Sequence, residues 1–221
     1  MGADSKRDGA ACKENAIEWR LSVDRVARAA YTASMALRII FGSLVIVWSW
    51  IAWDSFGAER LSGFFAGGVM AWSLIEYLVH RFVAHREWKS PFLHALITEP
   101  HRAHHAAPDD PATQTLPPSV ALGVYILCIG VAYLITWDLL ESGVIISGLT
   151  IGYLLYDHIH DTIHNRVPRT SMGRLLKRFH LIHHYADERR VFGVITAFWD
   201  FFFFTFPRHR APMTLAKNSK K

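Results

Sequence analysis

Four apolar stretches, residues 37–53, 61–79, 120–137 and 139–156, limit this chain to a helical fold. Each approaches the roughly 17–25 residues that a helix needs to cross a bilayer. Inside hydrocarbon every backbone N–H and C=O has to be paired within the protein, and for single runs of this length the helix meets that demand. Short linkers join the stretches in pairs: residues 54–60 in the first, and Asp138 with nearby Glu141 in the second. The expected architecture is an all-α integral membrane protein with four transmembrane helices arranged as two hairpins. A soluble bundle with a very apolar core is the alternative, and composition opposes it. The chain is 51% hydrophobic and 19% charged, against about 25% charged for a soluble domain.

Charge sets the expected orientation. Of 24 Lys and Arg residues, all but Arg60 lie in residues 1–38, 80–118 or 157–221. The positive-inside rule places these segments, including both termini, in the cytosol. All 13 histidines fall in the same segments, which predicts a histidine-rich cap on the cytosolic face. The membrane is a bacterial inner membrane or the endoplasmic reticulum. The net charge of +5, beside such apolar runs, fits an anionic lipid surface rather than nucleic acid. Cys12 and Cys128 form neither a disulfide framework nor a CxxC motif. A polar N-terminus through about Arg28 gives no cleavable signal peptide. Three parts are expected: residues 1–34 as a polar segment with a possible surface helix over 14–30, residues 35–207 as the membrane-embedded domain, and residues 208–221 as a basic tail. Pro117-Pro118 marks the start of the third apolar helix. Residues 191–206, with Asp200 their only charge, read as an interfacial or re-entrant aromatic segment, with core packing the alternative for the Phe201–Phe204 run.

Ten histidines fall into four groups: His80-x4-His85, His101-x2-His104-His105, His160-x3-His164 and His180-x2-His183-His184. Neutral imidazole is the commonest nitrogen ligand for transition metals. Ten imidazoles exceed what one ion takes, so the count predicts a two-metal site. A helix turns about 100° per residue. His160 and His164 therefore share a face, and each HxxHH turn offers three imidazoles to neighbouring metals. His80 and His85, at i and i+5, stand about 140° apart on a regular helix. Either they serve different metals or the helix unwinds there. His94, His158 and His209 lie outside the pattern. An all-nitrogen, two-metal site at a membrane points to iron activating O2 against an unactivated C–H bond, with zinc a possible replacement on isolation.

These motifs resemble the fatty acid hydroxylase superfamily, also called sterol desaturase-like. The resemblance runs from Glu76-Tyr-Leu-Val-His80 to about Phe206, through Phe92-Leu-His94, Pro100-His101, His104-His105, Leu116-Pro117-Pro118, Gly152-Tyr-x-x-Tyr156-Asp157, Lys177-Arg-Phe-His180, His183-His184-Tyr185, Phe192-Gly-Val and Phe198-Trp199-Asp200. The Gly152 and Phe192 stretches are similar to fatty acid 2-hydroxylases, which act on the acyl chains of sphingolipids. The resemblance implies a four-helix membrane domain whose cytosolic cap binds two metals through these ten histidines. Tyr156 and Asp157 precede His160 and suit a role in orienting its imidazole; for Tyr156, interfacial anchoring is the alternative. Glu76, one turn before His80 in an apolar helix, is a costly carboxylate that either serves function or reaches the headgroups. The chain carries no His-Pro-Gly-Gly haem motif and no GxGxxG fingerprint. Electrons are therefore expected from a separate partner such as a cytochrome b5 or a ferredoxin. The leading expectation is an O2-dependent di-iron monooxygenase hydroxylating a fatty acyl chain, free or sphingolipid-linked, at the carbon next to the carbonyl. Two alternatives stand beside it: a sterol or carotenoid desaturase or hydroxylase on the same scaffold, and a non-enzymatic membrane protein that binds or transports zinc.

Overall fold

The computed structural model describes residues 32, 36, 38–111, 113–114 and 118–207. The expected surface helix over 14–30, Cys12, His209, Leu116-Pro117 and the 208–221 tail lie outside the described residues. Those described are all helix, turn or irregular chain, with no strand among them.

All four apolar stretches become helices. They are α1 (Arg38–Trp53), α2 (Ala58–Val79), α5 (Pro118–Thr136) and α6 (Leu139–Asn165). Among the described residues, three spans are long and apolar enough to cross a membrane: Ala58–Ala84, Ser119–Thr136 and Leu139–Asn165. The first stretch forms a shorter apolar helix, Arg38–Trp53. Local chemistry sets the ends. Asp138 caps α6, its carboxylate accepting from the N–H groups of Leu140 at 2.7 Å and Glu141 at 2.9 Å. Pro118 opens α5, where a missing N–H costs nothing.

α2 and α6 form the centre, running parallel. Arg60 at the start of α2 pairs with Glu141 at the start of α6. Their contact is close because it lacks side chains. A Cβ on Gly68 would stand 2.2 Å from the carbonyl oxygen of Ile145, and one on Gly148 2.1 Å from that of Phe65. Small residues let apolar helices approach where the hydrophobic effect gives no preference between lipid and protein. α1 leans on α5 and α6: Phe41 stacks on Tyr125 of α5 at 4.3 Å, and the Trp48 ring lies over Gly143 of α6. Trp72, Tyr153, Ile146 and Leu149 fill the space between.

Past Val79, α2 continues as a π-helical turn, His80–Ala84. A short α3 (Pro91–Leu93) leads through a second π turn, His94–Thr98, into α4 (Glu99–Ala106). α7 (Ser171–Tyr185) starts at Thr170, whose hydroxyl accepts from Gly173 N at 3.0 Å. The 191–206 segment holds only the short α8 (Phe198–Phe202). Core packing, the alternative for the Phe201–Phe204 run, is not what forms there. Val191, Phe192 and Val194 are buried, while Phe198, Phe201, Phe202 and Phe204 are exposed.

Candidate metal centre

Four helix ends bring the ten grouped histidines to one place. The end of α2 delivers His80 and His85, α4 delivers His101, His104 and His105, the last turns of α6 deliver His160 and His164, and α7 delivers His180, His183 and His184. They sort into two groups, each with one ring nitrogen per residue and all such atoms within 4.8 Å of one another. The first is His80, His85, His101, His105 and His183; the second is His104, His160, His164, His180 and His184. Each HxxHH turn is split. Its i, i+4 pair serves one group, and the histidine between them crosses to the other.

The i, i+5 pair is reconciled by a local unwinding of the helix into a π turn, and the two residues do not serve different groups. The π turn accommodates one extra residue per turn, so His80 and His85 face the same way, their Nε2 atoms 3.3 Å apart. They share the first group.

Backbone carbonyls fix which nitrogen faces inward. Nδ1 of His80 lies 2.6 Å from the oxygen of Phe192, Nδ1 of His183 2.8 Å from that of Arg190, and Nδ1 of His160 3.2 Å from that of Gln114. A carbonyl only accepts, so each Nδ1 carries the hydrogen and each Nε2 presents a lone pair. In the first group His85 Nε2 lies 3.0 Å from His183 Nε2 and 2.9 Å from His101 Nε2. In the second, His180 Nε2 lies 2.9 Å from His164 Nε2 and 3.0 Å from His184 Nε2. One imidazole N–H cannot satisfy several such contacts at once. Nitrogens bound about 2.1 Å from a shared metal stand about 3.0 Å apart at a right angle and about 3.4 Å apart at the tetrahedral angle. The spacing and the inward lone pairs therefore fit a cation in each group. Buried nitrogens without a partner, both on His104 and Nε2 on His105, agree.

Electrostatics keep the imidazoles neutral, the form a metal binds. Burial pushes the pKa of His85 down to about 4, of His101 to about 2 and of His183 to about 3, and repulsion from neighbouring imidazoles adds to this at His85 and His101. Burial likewise holds His104, His180 and His184 well below the usual range.

A cavity of about 320 Å³ opens beneath the groups. His80, His101, His104, His160 and His180 line one part of it; Ile75, Val79, Leu96, Ile97 and Val124 line the rest. Tyr156 is in its wall and stacks on His160 at 5.5 Å. Asp157 lies elsewhere: its Oδ1 accepts from Arg38 Nη2 at 2.7 Å, while the oxygen at His160 Nδ1 is that of Gln114. Glu76 is buried and also lines the cavity. His94 lies between Glu87 and Glu99 at 3.5 and 3.6 Å, and His158 is exposed; neither joins a group. The three supporting carbonyls were invisible to a reading of side chains, because any residue type supplies one.

The fatty acid hydroxylase family model matches residues 65–205. The fatty acid 2-hydroxylase of Macaca fascicularis is 37% identical over 149 residues, 65% of this chain and 39% of that protein. The dihydroceramide fatty acyl 2-hydroxylase FAH2 of Arabidopsis thaliana is 30% identical over 153 residues, 66% of this chain and 61% of that protein. The ceramide very long chain fatty acid hydroxylase SCS7 of Saccharomyces cerevisiae is 35% identical, over 69% of this chain and 40% of that protein. The chain thus spans about two fifths to three fifths of the length of these relatives. A solved structure of full-length scs7p, in which only the hydroxylase domain is visible, superposes with a TM-score of 0.68 at 28% identity, covering 76% of this chain and 64% of that one. The matched span holds all ten grouped histidines, and this chain belongs to the fatty acid hydroxylase family.

Proposed function

We propose that this chain is an O2-dependent di-iron lipid hydroxylase that acts on a fatty acyl chain, free or sphingolipid-linked, at the carbon next to the carbonyl. One observation carries the reading: two groups of five imidazoles stand together beside a cavity that five of them line along with mostly apolar side chains. The names of the relatives, all hydroxylases of fatty acyl chains, support the substrate class. Two iron ions held by the ten histidines would supply the O2 chemistry, in which the C–H carbon gains one oxygen atom and two electrons and two protons from a donor carry the other away as water.

The residues present do the rest. The carbonyls of Phe192, Arg190 and Gln114 hold three imidazoles in the ligating tautomer. The apolar walls receive an acyl tail and exclude water. Tyr156, in the wall and against His160, positions the substrate. Asp157 secures α1 to α6 through Arg38. The two electrons come from a separate protein, such as a cytochrome b5 or a ferredoxin.

The membrane reading follows helix length. The 27 residues of α6 extend about 40 Å, whereas a hydrocarbon core is about 30 Å thick. The surplus turns carry His160 and His164 past the lipid. With α1 as the fourth crossing element, the four helices form two hairpins, with both termini and the metal centre in the cytosol. A lipid then reaches the metals with its tail still in the bilayer.

Lipid mass spectrometry of an expressing host, with His104→Ala as the inactive control, tests this. A gain of about 16 Da, localised to carbon 2 of the acyl chain, is the expected product of oxygen insertion. A loss of about 2 Da would identify desaturation instead and overturn the hydroxylase reading.

A further inference from the structure

Four consecutive backbone N–H groups, Phe192 to Ile195, are taken up by two buried carboxyl groups. Phe192 N donates to Asp200 Oδ1 at 2.8 Å and Gly193 N to Asp200 Oδ2 at 2.9 Å. Val194 N and Ile195 N donate to Glu76 Oε1 at 3.1 and 3.0 Å. Thr205 adds its hydroxyl to Asp200 Oδ1 at 2.7 Å, and Tyr77 pairs with Thr205 at 2.9 Å. No side chain fits at Gly193, where a Cβ would stand 2.1 Å from the oxygen of Thr196 and 2.9 Å from Asp200 Oδ2.

The carbonyls of the same segment serve imidazoles, Phe192 O at His80 and Arg190 O at His183. Between them Val191 has a φ of 59°, a conformation that a β-branched residue rarely adopts. Such strain persists only where the surroundings over-determine it. Here Val191 is fully buried and its N–H donates to the oxygen of Thr205 at 3.1 Å.

Both imidazoles held in this way belong to the first group. In the second, His160 alone has a carbonyl at Nδ1 among the described residues. Nδ1 of His104, of His180 and of His184 is buried with no partner among the described residues. The two groups are therefore supported unequally.

We propose that Asp200, assisted by Glu76, is a positioning residue for the first metal site alone, anchoring the 190–195 segment whose carbonyls orient His80 and His183, so that this site binds metal more tightly than the second. The proposal rests on the reading of the two groups as metal sites. Residues that orient ligating imidazoles typically change metal affinity by about 10–100-fold when removed.

The test uses the full chain in detergent, loaded with zinc as a redox-silent probe. His164→Ala weakens the second site and His101→Ala the first, which isolates each. Adding Asp200→Ala should lower zinc affinity about 10–100-fold in the His164→Ala background and by less than about twofold in the His101→Ala background. In the parent chain, zinc should leave to a chelator in two phases, with the slow phase lost in Asp200→Ala. Equal weakening in both backgrounds, or none in either, overturns the proposal. If Asp200→Ala does not fold, Thr205→Val, which removes one donor to that carboxylate, must show the same asymmetry at smaller size. A parent chain that binds no zinc or iron removes the metal-site reading itself. Two bound ions without asymmetry remove only the role of Asp200.

Discussion

Gly68 of α2 and Gly148 of α6 meet backbone to backbone: a Cβ on Gly148 would lie 3.0 Å from the Cα of Gly68. This contact sets the spacing of the two helices whose far ends carry His80 and His160. Gly148→Ala has to push α6 away from the Phe65 carbonyl, and overpacking of this kind costs about 1–3 kcal/mol. Gly67 faces open space, so Gly67→Ala is expected within about 0.5 kcal/mol of the parent. Thermal unfolding of the purified protein compares the two. Equal effects would show that the helices are not held by this crossing.

His104 and His105 are adjacent in sequence yet belong to different groups. His104→Ala and His105→Ala should each reduce bound metal from about two ions per chain to about one, and the double variant to none, since an ion loses one of five imidazoles in each case. Elemental analysis of freshly purified protein gives the counts. Loss of both ions in either single variant would mean that the two groups act as one site.

The apolar stretches and the histidine groups were legible because both are one-dimensional patterns, a run in one case and a helical spacing in the other. The continuation of α6 past Tyr156 was legible in the i, i+4 spacing of His160 and His164; the helix runs to Asn165 even though Asp157, His158 and Asp161 end the apolar run. Their polarity suits the end of the helix that carries ligands. The pairing of His80 with His85 was not legible, because spacing on a regular helix argues against it and nothing in His80–Ala84 announces a π turn. The same holds for the supporting carbonyls of Gln114, Arg190 and Phe192, which leave no side-chain signature. Asp200 stood out as a lone carboxylate among aromatic residues and in the Phe198-Trp199-Asp200 stretch; its partners, two backbone N–H groups and the Thr205 hydroxyl, did not.

The pH dependence of the metal-free protein follows from the buried imidazoles. His85, His101 and His183 have folded values of about 4, 2 and 3, below the ordinary value of about 6.5 in an unfolded chain. As pH falls through about 6.5 the unfolded state takes up protons that the folded state refuses, so these three rings make stability decline from there towards about 2. Asp200, pushed up by burial, acts in the opposite sense as a single carboxyl and does not offset several imidazoles. The metal-free melting temperature should therefore drop steadily as pH falls below about 6.5. The metal-loaded protein should hold its melting temperature to lower pH, because bound imidazoles cannot be protonated until the metal leaves. A metal-free melting temperature level down to pH 5 would contradict the burial of these rings.

Arg38 and Asp157 form an ion pair at 2.7 Å with side chains 20% and 9% exposed. It joins α1 to α6 across most of the sequence. Breaking a buried pair from one side costs about 3–5 kcal/mol, because the other charge stays uncompensated. The partial exposure of Arg38 places the expected cost of Arg38→Ala below that range, about 2–3 kcal/mol. Arg38→Ala combined with Asp157→Asn should cost less than the sum of the single variants, which a double-mutant cycle on thermal unfolding measures. Metal content should stay at the parent level in all three, because the oxygen at His160 Nδ1 comes from Gln114 and not from Asp157. If Asp157→Asn instead strips metal from the second group and leaves the melting temperature unchanged, the carboxylate works on His160 and not on α1.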